Sequence, residues 1–234
     1  MNYTLEGVAA TYPGINIGVI AGKGLDNSGS RPGIEGYKAE ALRAARVKVG
    51  DGPVTGHPYI ASWREVYKTF RGKPADYNPS AEALVRRALK EGRLPTINPA
   101  VDAYNAVSVR YLIPAGGFDV DRVEGDIRLR FSPGGEAFLP LGTGEKAEAT
   151  FQGEAVYADD RRILTRRWNY RDCVETRITA ETRNVVMFID GSPQIPRAEV
   201  EKAVDELSTR LKTFCGGTYT TGIADPENPA FEIK

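Results

Sequence analysis

Apolar residues recur at three- and four-residue steps along the first half of the chain, and in short alternating or continuous runs along the second. The two periods separate helices from strands, because neighbours on one helical face lie three or four apart and on one strand face two apart. Residues 37–48 (YKAEALRAARVK) fit a helix with Leu42 and Ala45 inward and Gly50 as its stop. From Pro58 to Phe70, the residues Ile60, Trp63, Val66, Tyr67 and Phe70 form one buried stripe, ended by Arg71-Gly72-Lys73-Pro74. Ser80 is expected to cap a third helix through Lys90, with Ala83, Leu84, Ala88 and Leu89 as its apolar face and Gly92 as stop. A final helix over 197–214 carries Val200, Ala203, Val204, Leu207, Leu211 and Phe214 as its core stripe and ends at Gly216-Gly217.

The opening stretch, 3–22, is rich in Val, Ile, Tyr and Thr and breaks at Pro13-Gly14 and Gly22, which reads as two short strands. After Pro114 the segments DIRLRF, EAFLPL, EAVYAD, RILTRRW, TRITA and NVVMFID alternate or run apolar between Gly, Pro and Asp turns. They predict an antiparallel β region. The tail beyond Gly222 holds two prolines and is expected along the surface. Helices, then strands, then a closing helix is the order of an α+β fold: an antiparallel β-rich core, about 97–190, flanked by helices. No repeat or linker divides the chain, so 1–234 is read as a single domain.

Composition narrows the class. With 41% hydrophobic and 26% charged residues the chain can build a true core, and no apolar run approaches a membrane span. The N-terminus lacks the pattern of a secretory signal. Cys173 and Cys215 stand far apart and outside metal-binding spacings, so a reducing cytoplasm is the simplest home and no structural metal is expected. Net charge is zero, which argues against a dedicated nucleic-acid binder. Locally, seven arginines between Arg161 and Arg183 face only Asp172, Glu175 and Glu181, a net of +4. Two readings fit: guanidinium forks for phosphates, with Arg166 and Arg167 as RNA contacts, or alternating charges on the outer face of a sheet.

The motifs of nucleotide, metalloprotease and serine-hydrolase sites are absent, and no cofactor is implied. His57, the only histidine, stands at a helix start and reads as a cap, and Cys173 as a buried thiol. Residue chemistry alone stops at an α+β domain.

The run INPAVDAYNAVSVR (97–110), followed by PAGGFDVDRVEGDIRLR (114–130), resembles the start of the B3/B4 domain of the phenylalanyl-tRNA synthetase beta subunit. In that family a Val-Asp-x-x-Asn helix leads to a Pro-x-x-x-Phe-Asp loop and an Ile-x-Gly strand. The likeness continues through GGEAF (134–138), LGTGE (141–145), GEAVYADD (153–160) and ITAETRNVVMF (178–188), covering about 80–190. It implies a freestanding tRNA-editing domain whose partner is the aminoacylated 3′ end of a tRNA and which hydrolyses a wrong ester. Such an ester is already activated, so a positioned water and hydrogen-bond donors suffice without a nucleophile. By resemblance, Asn105 matches the family's pocket asparagine and Asp102 anchors the loop. Gly116 stands where the family loop can carry a histidine, and Gly117 follows. The family's Gly-Gly-Glu, which reads a substrate ring hydroxyl, falls near Asp172-Cys173-Val174-Glu175; Glu175 takes that role only with a one-residue shift, so tyrosyl specificity does not carry over. The expected substrate pocket is therefore Asn105, Gly116, Gly117, Trp168, Arg171 and Glu175. A non-catalytic RNA- or amino-acid-binding module that kept the fold, and a metabolic hydrolase unrelated to tRNA, stay open as alternatives.

Overall fold

The computed structural model describes residues 1–70, 76–142 and 146–233. In chain order the elements are β1 (Asn2–Thr4), α1 (Val8–Thr11), β2 (Asn16–Lys23), α2 (Ile34–Val49), α3 (Pro58–Thr69), α4 (Ser80–Glu91), α5 (Pro99–Tyr111) and β3 (Ala115–Asp119). There follow β4 (Ile127–Phe131), β5 (Ala137–Phe138), β6 (Glu148–Ala149), β7 (Ala155–Ala158), β8 (Ile163–Arg166), β9 (Arg171–Asp172) and β10 (Asn184–Gly191). The chain ends with α6 (Arg197–Cys215), β11 (Thr218–Ala224) and β12 (Ala230–Glu232). The fold is α+β, as the order of periodicities predicts.

Two sheets carry the structure. One runs β12-β1-β4-β7-β8-β9 and the other β11-β2-β10-β3, while β5 and β6 form a small ribbon. The pairings are antiparallel except that of β1 with β4. Strand alternation sorts β10 cleanly. Ile189 faces α6, whereas Phe188 and Asp190 face the larger sheet. There the rings of Tyr3, Phe118, Tyr157 and Phe188 interlock, with centroids 4.7 Å apart for Tyr3–Phe188 and 4.8 Å for Tyr157–Phe188. On the opposite face α6 lies so close to β2 that a Cβ at Gly18 would stand 2.3 Å from Val204. Only glycine permits that approach.

Several local expectations change. Helix α4 is capped by Pro79, not Ser80, and its buried stripe is Ala81, Val85 and Ala88, with Ala83 exposed. The face is rotated because Glu82, fully buried, points inward to meet Arg64 at 2.9 Å. TRITA forms no strand; its Thr179 instead closes a hydrogen-bonded turn with Thr182. EAFLPL shortens to two ladder residues, since Pro140 has no N–H to continue it. The tail beyond Gly222 is exposed over 226–230, as expected, but it is also paired: β11 continues to Ala224 beside β2, and β12 pairs with β1. The β-rich part thus draws strands from both ends of the chain, and 97–111 at its expected start is mostly helix α5. The predicted stop at 71–74 and most of LGTGE lie outside the described residues. Among the described residues no helix is long and apolar enough to cross a membrane.

The β7–β8 hairpin is fastened by a buried ion pair. Glu154, with no exposure, accepts both Nε and Nη2 of Arg166 at 2.8 Å, and the backbone N–H groups of Phe151 and Arg167 at 3.0 Å. Removing one partner of such a pair leaves an uncompensated charge in low dielectric. Glu154→Ala should therefore lower the unfolding free energy by about 3–5 kcal/mol, read from the midpoint of urea denaturation at unchanged slope. Loss below about 1 kcal/mol would show the pair to be no more than a surface bridge.

Candidate functional site

The site begins with a strained turn. Arg167 and Trp168 both adopt left-handed backbone conformations, φ 48° and 64°, where a non-glycine residue costs about 1–2 kcal/mol. Hydrogen bonds over-determine it: Trp168 N–H donates to Ala155 O at 2.6 Å and Tyr170 N–H to Arg166 O at 3.0 Å. The strain buries the Trp168 indole completely, edge-on to Trp63 with centroids 5.0 Å apart. Strain that the surroundings enforce is a recognised mark of functional positions.

The turn closes one end of a cavity of about 70 Å³ between the sheets. Its walls are the rings of Phe118, Tyr157, Trp168 and Phe188, and the backbone of Gly116 and Gly117. A Cβ on Gly117 would meet Val186 O at 2.6 Å, so β3 can pack against β10 there only as glycine. Two carboxyl groups, Asp172 and Asp190, share this cavity.

Asp190 is the deeper. Its Oδ1 accepts from the Tyr157 hydroxyl at 2.6 Å and its Oδ2 from Asn169 Nδ2 at 3.2 Å; Asn169 in turn accepts from the Tyr67 hydroxyl at 2.8 Å. Burial nevertheless pushes its pKa up to about 7, the donors only partly opposing that shift and Asp172 adding to it. Asp172 is half-buried, holds the Thr165 hydroxyl at 2.6 Å, and is pushed by burial to about 6. The buried Trp168 indole N–H is directed at Asp190 and favours its ionised form, without reaching full hydrogen-bond geometry to any described residue.

Of the residues singled out in the sequence, Gly116, Gly117, Trp168 and Arg171 meet at this cavity. Arg171 lies over the Tyr170 ring, 5.2 Å from its centroid. Asn105 is half-buried on α5 and not part of the wall. Its neighbour Tyr104 is the α5 residue that senses the site, its hydroxyl pKa raised by burial and then by Asp172. Glu175 instead pairs with Arg162 at 3.4 Å, outside the cavity.

The phosphate-contact expectation for Arg166 and Arg167 meets a physical obstacle. Both side chains are buried, Arg166 is held by Glu154 and Glu148, and Arg167 is stacked 3.7 Å from the centroid of Tyr77. Arg161 and Arg162 likewise pair with Glu124. Arg161, Arg162 and Arg166 are therefore held in ion pairs on the hairpin, whereas Arg177 and Arg183 are exposed and donate to the nearby carbonyls of Val174 and Ala180. His57 caps α3 through Nδ1, 3.3 Å from Tyr59 N, as its position suggests. Cys173 is buried beside Thr176, and burial raises its thiol pKa, away from reactivity.

Sequence reasoning passed over Asp190, Tyr157 and Thr165. A signal was present: Asp190 is the one acid in the otherwise apolar run VVMFID, and a charged residue inside a buried strand requires partners. Among the described residues no cluster of His, Cys, Asp or Glu could hold a metal ion.

The family model of the B3/4 domain matches residues 62–216, well over half of the chain. The chain belongs to the B3/4 domain family. That span takes in every wall residue of the cavity, from Ser80 to Asp190. Among solved structures, an N-terminal fragment of the phenylalanyl-tRNA synthetase beta-subunit from Pyrococcus horikoshii is similar at 15% identity and a TM-score of 0.44. The similarity covers 93% of this B3/4 protein and 49% of that chain, so it spans about half the fragment's length. No curated protein matches.

Because the folded-state pKa of Asp190 is raised, native protein holds a proton that the unfolded chain releases near pH 4. Its contribution to stability is therefore full below pH 4 and lost as pH rises through about 7. Asp190→Asn, which cannot ionise, should remove this component. The unfolding free energy of wild type relative to the variant should fall by about 2–4 kcal/mol between pH 4 and pH 8. A pH-independent difference would show that Asp190 is ionised throughout.

Proposed function

We propose that this B3/4 protein is a trans-acting editing hydrolase that deacylates misacylated tRNA. The observation that carries this reading is Asp172, a half-buried carboxylate with a pKa of about 6, at a small cavity whose wall is partly glycine backbone. At neutral pH such a group is ionised yet basic enough to take a proton from water. The geometry supports the following step. Asp172 accepts a proton as water oxygen attacks the acyl carbonyl, the ester C–O bond then breaks, and the proton passes to the departing ribose oxygen. Family membership supports a tRNA partner, met at its aminoacylated end. Strands from both ends of the chain join the two sheets, which supports residues 1–234 acting as a single domain. We place its work in the cytoplasm, where mischarged tRNA arises.

A panel of mischarged tRNAs, incubated with purified protein, tests the reading. At least one should lose its amino acid, and kcat/KM should rise with pH to a plateau, with an apparent pKa of about 6. Asp172→Asn should abolish that limb and slow turnover by about 10²-fold or more, while His57→Ala leaves it unchanged. A second reading is a non-catalytic RNA- or amino-acid-binding module that kept the fold, and the pairing of Arg161, Arg162 and Arg166 with acids favours its amino-acid-binding form. Ligand binding without hydrolysis of any ester would replace the first reading with it.

A further inference from the structure

Strand β11 is an unguarded sheet edge. It runs seven residues, Thr218–Ala224, in unbroken register beside β2, and among the described residues no strand lies beyond it. A bare edge offers its N–H and C=O groups to any extended chain, and proteins ordinarily guard it with charge, proline, a bulge or shortness. The other edges here follow that rule. β9 has two residues, β12 three, and on β3 the Asp119 N–H already donates to Thr176 O at 2.9 Å. Within β11 (TYTTGIA) there is no charge and no proline.

Its side chains complement their own reverse. Ile223 stands opposite Gly18, whose Cβ would meet Val204 of α6, so alternation puts Tyr219, Thr221 and Ile223 on the face towards that helix. Two copies of the strand, paired antiparallel over their whole length, set Thr221 opposite itself and Tyr219 opposite Ile223 on either side. Thr–Thr and aromatic–β-branched pairs are favourable neighbours across strands. The backbone of such a pair closes about six to eight hydrogen bonds.

The neighbouring helix has the same symmetry. The twofold axis of the pair stands perpendicular to the joined sheet, so both copies of α6 lie on one face and run antiparallel. Ser208, Thr209 and Lys212 of α6 border the groove beside β11. Asp205 lies on that helical face too, and Asp205 and Lys212 are exposed with no ion-pair partner among the described residues. The twofold turns Lys212 of each helix towards Asp205 of the other.

We infer that β11 is a dimer interface, at which a second copy of this chain adds its own β11 antiparallel and joins two four-stranded sheets into one of eight. Gly116 and Gly117 lie on β3, at the far edge of that sheet, so both cavities stay open in the dimer. The inference is independent of the deacylase reading.

Sedimentation velocity of the full chain over a concentration series tests it. A reversible monomer–dimer equilibrium is expected, and a monomer at every concentration overturns the inference. Thr221 is exposed, so a charge there leaves the monomer folded. Thr221→Asp and Thr221→Lys should each weaken self-association by at least about tenfold, because like charges then meet at the twofold. An equimolar mixture of the two variants should recover a dimer of one copy of each, with at least the wild-type affinity. That recovery also shows that both variants fold. A dimer indifferent to either substitution, or variants that stay apart when mixed, would place the contact elsewhere and overturn the assignment of β11.

Discussion

The architecture around the site turns on one buried carboxyl. Asp190 joins four parts of the chain: its side chain takes Tyr157 of β7 and Asn169 of the strained turn, its backbone oxygen takes the Trp63 indole of α3 at 3.2 Å, and it sits itself on β10. An isolated carboxylate in such surroundings would carry a desolvation cost of several kcal/mol. The protein meets that cost in two ways at once, with donors for the charged form and a raised pKa that lets the neutral form share the population. The face-to-face packing of the sheets follows, because Tyr157 can reach Asp190 only when Phe188, two residues earlier on the same face, lies against its ring.

Electrostatics in the 161–183 stretch obeys the same rule with the opposite sign. Arginines dense in sequence suggest a basic surface, but the hairpin folds Arg161, Arg162 and Arg166 towards Glu124, Glu148, Glu154 and Asp159, acids that lie up to 38 residues away in sequence. Local charge counts cannot see partners at that separation. Arg167 differs. Among the described residues it has no carboxylate partner, and it lies among the rings of Tyr77, Phe151 and Tyr170, where burial lowers its pKa. A guanidinium over aromatic faces is stabilised by the ring quadrupoles, by about 2 kcal/mol when desolvated. That anchor helps hold the left-handed backbone at 167–168.

Long amphipathic helices were legible because their faces repeat many times. Residues 58–70 and 197–214 kept nearly the expected stripes. Short strands were legible where hydrophobicity ran unbroken, as in β10, or alternated beside a paired neighbour, as in β4, and failed where no partner lies alongside, as in TRITA. The tail defeated sequence reading for a different reason: β11 is mostly exposed or half-buried, so its pattern is polar, and only its pairing with β2 makes it a strand. At the site, glycines and an aromatic could be found by resemblance, whereas Asp190 and Tyr157 needed the third dimension. Their separation of 33 residues becomes a 2.6 Å contact only through the meeting of two sheets.

The absence of a histidine at Gly116 takes on a physical meaning once Asp172 is placed. A Cβ built on Gly116 points towards Asp172, with Oδ2 3.8 Å away. A large side chain there would lie over the carboxylate and shut water from it. With glycine, the approach stays open and the carboxylate itself can be the base, its pKa set by burial and moderated by the Thr165 hydroxyl. The two acids then divide the work by depth. Asp190, further in and closer to neutral, is suited to tying Tyr157 and Asn169 together, and Asp172, nearer solvent and mostly ionised above pH 6, to taking a proton. Different environments separate their pKa values, and a bare glycine keeps the more acidic one within reach of water.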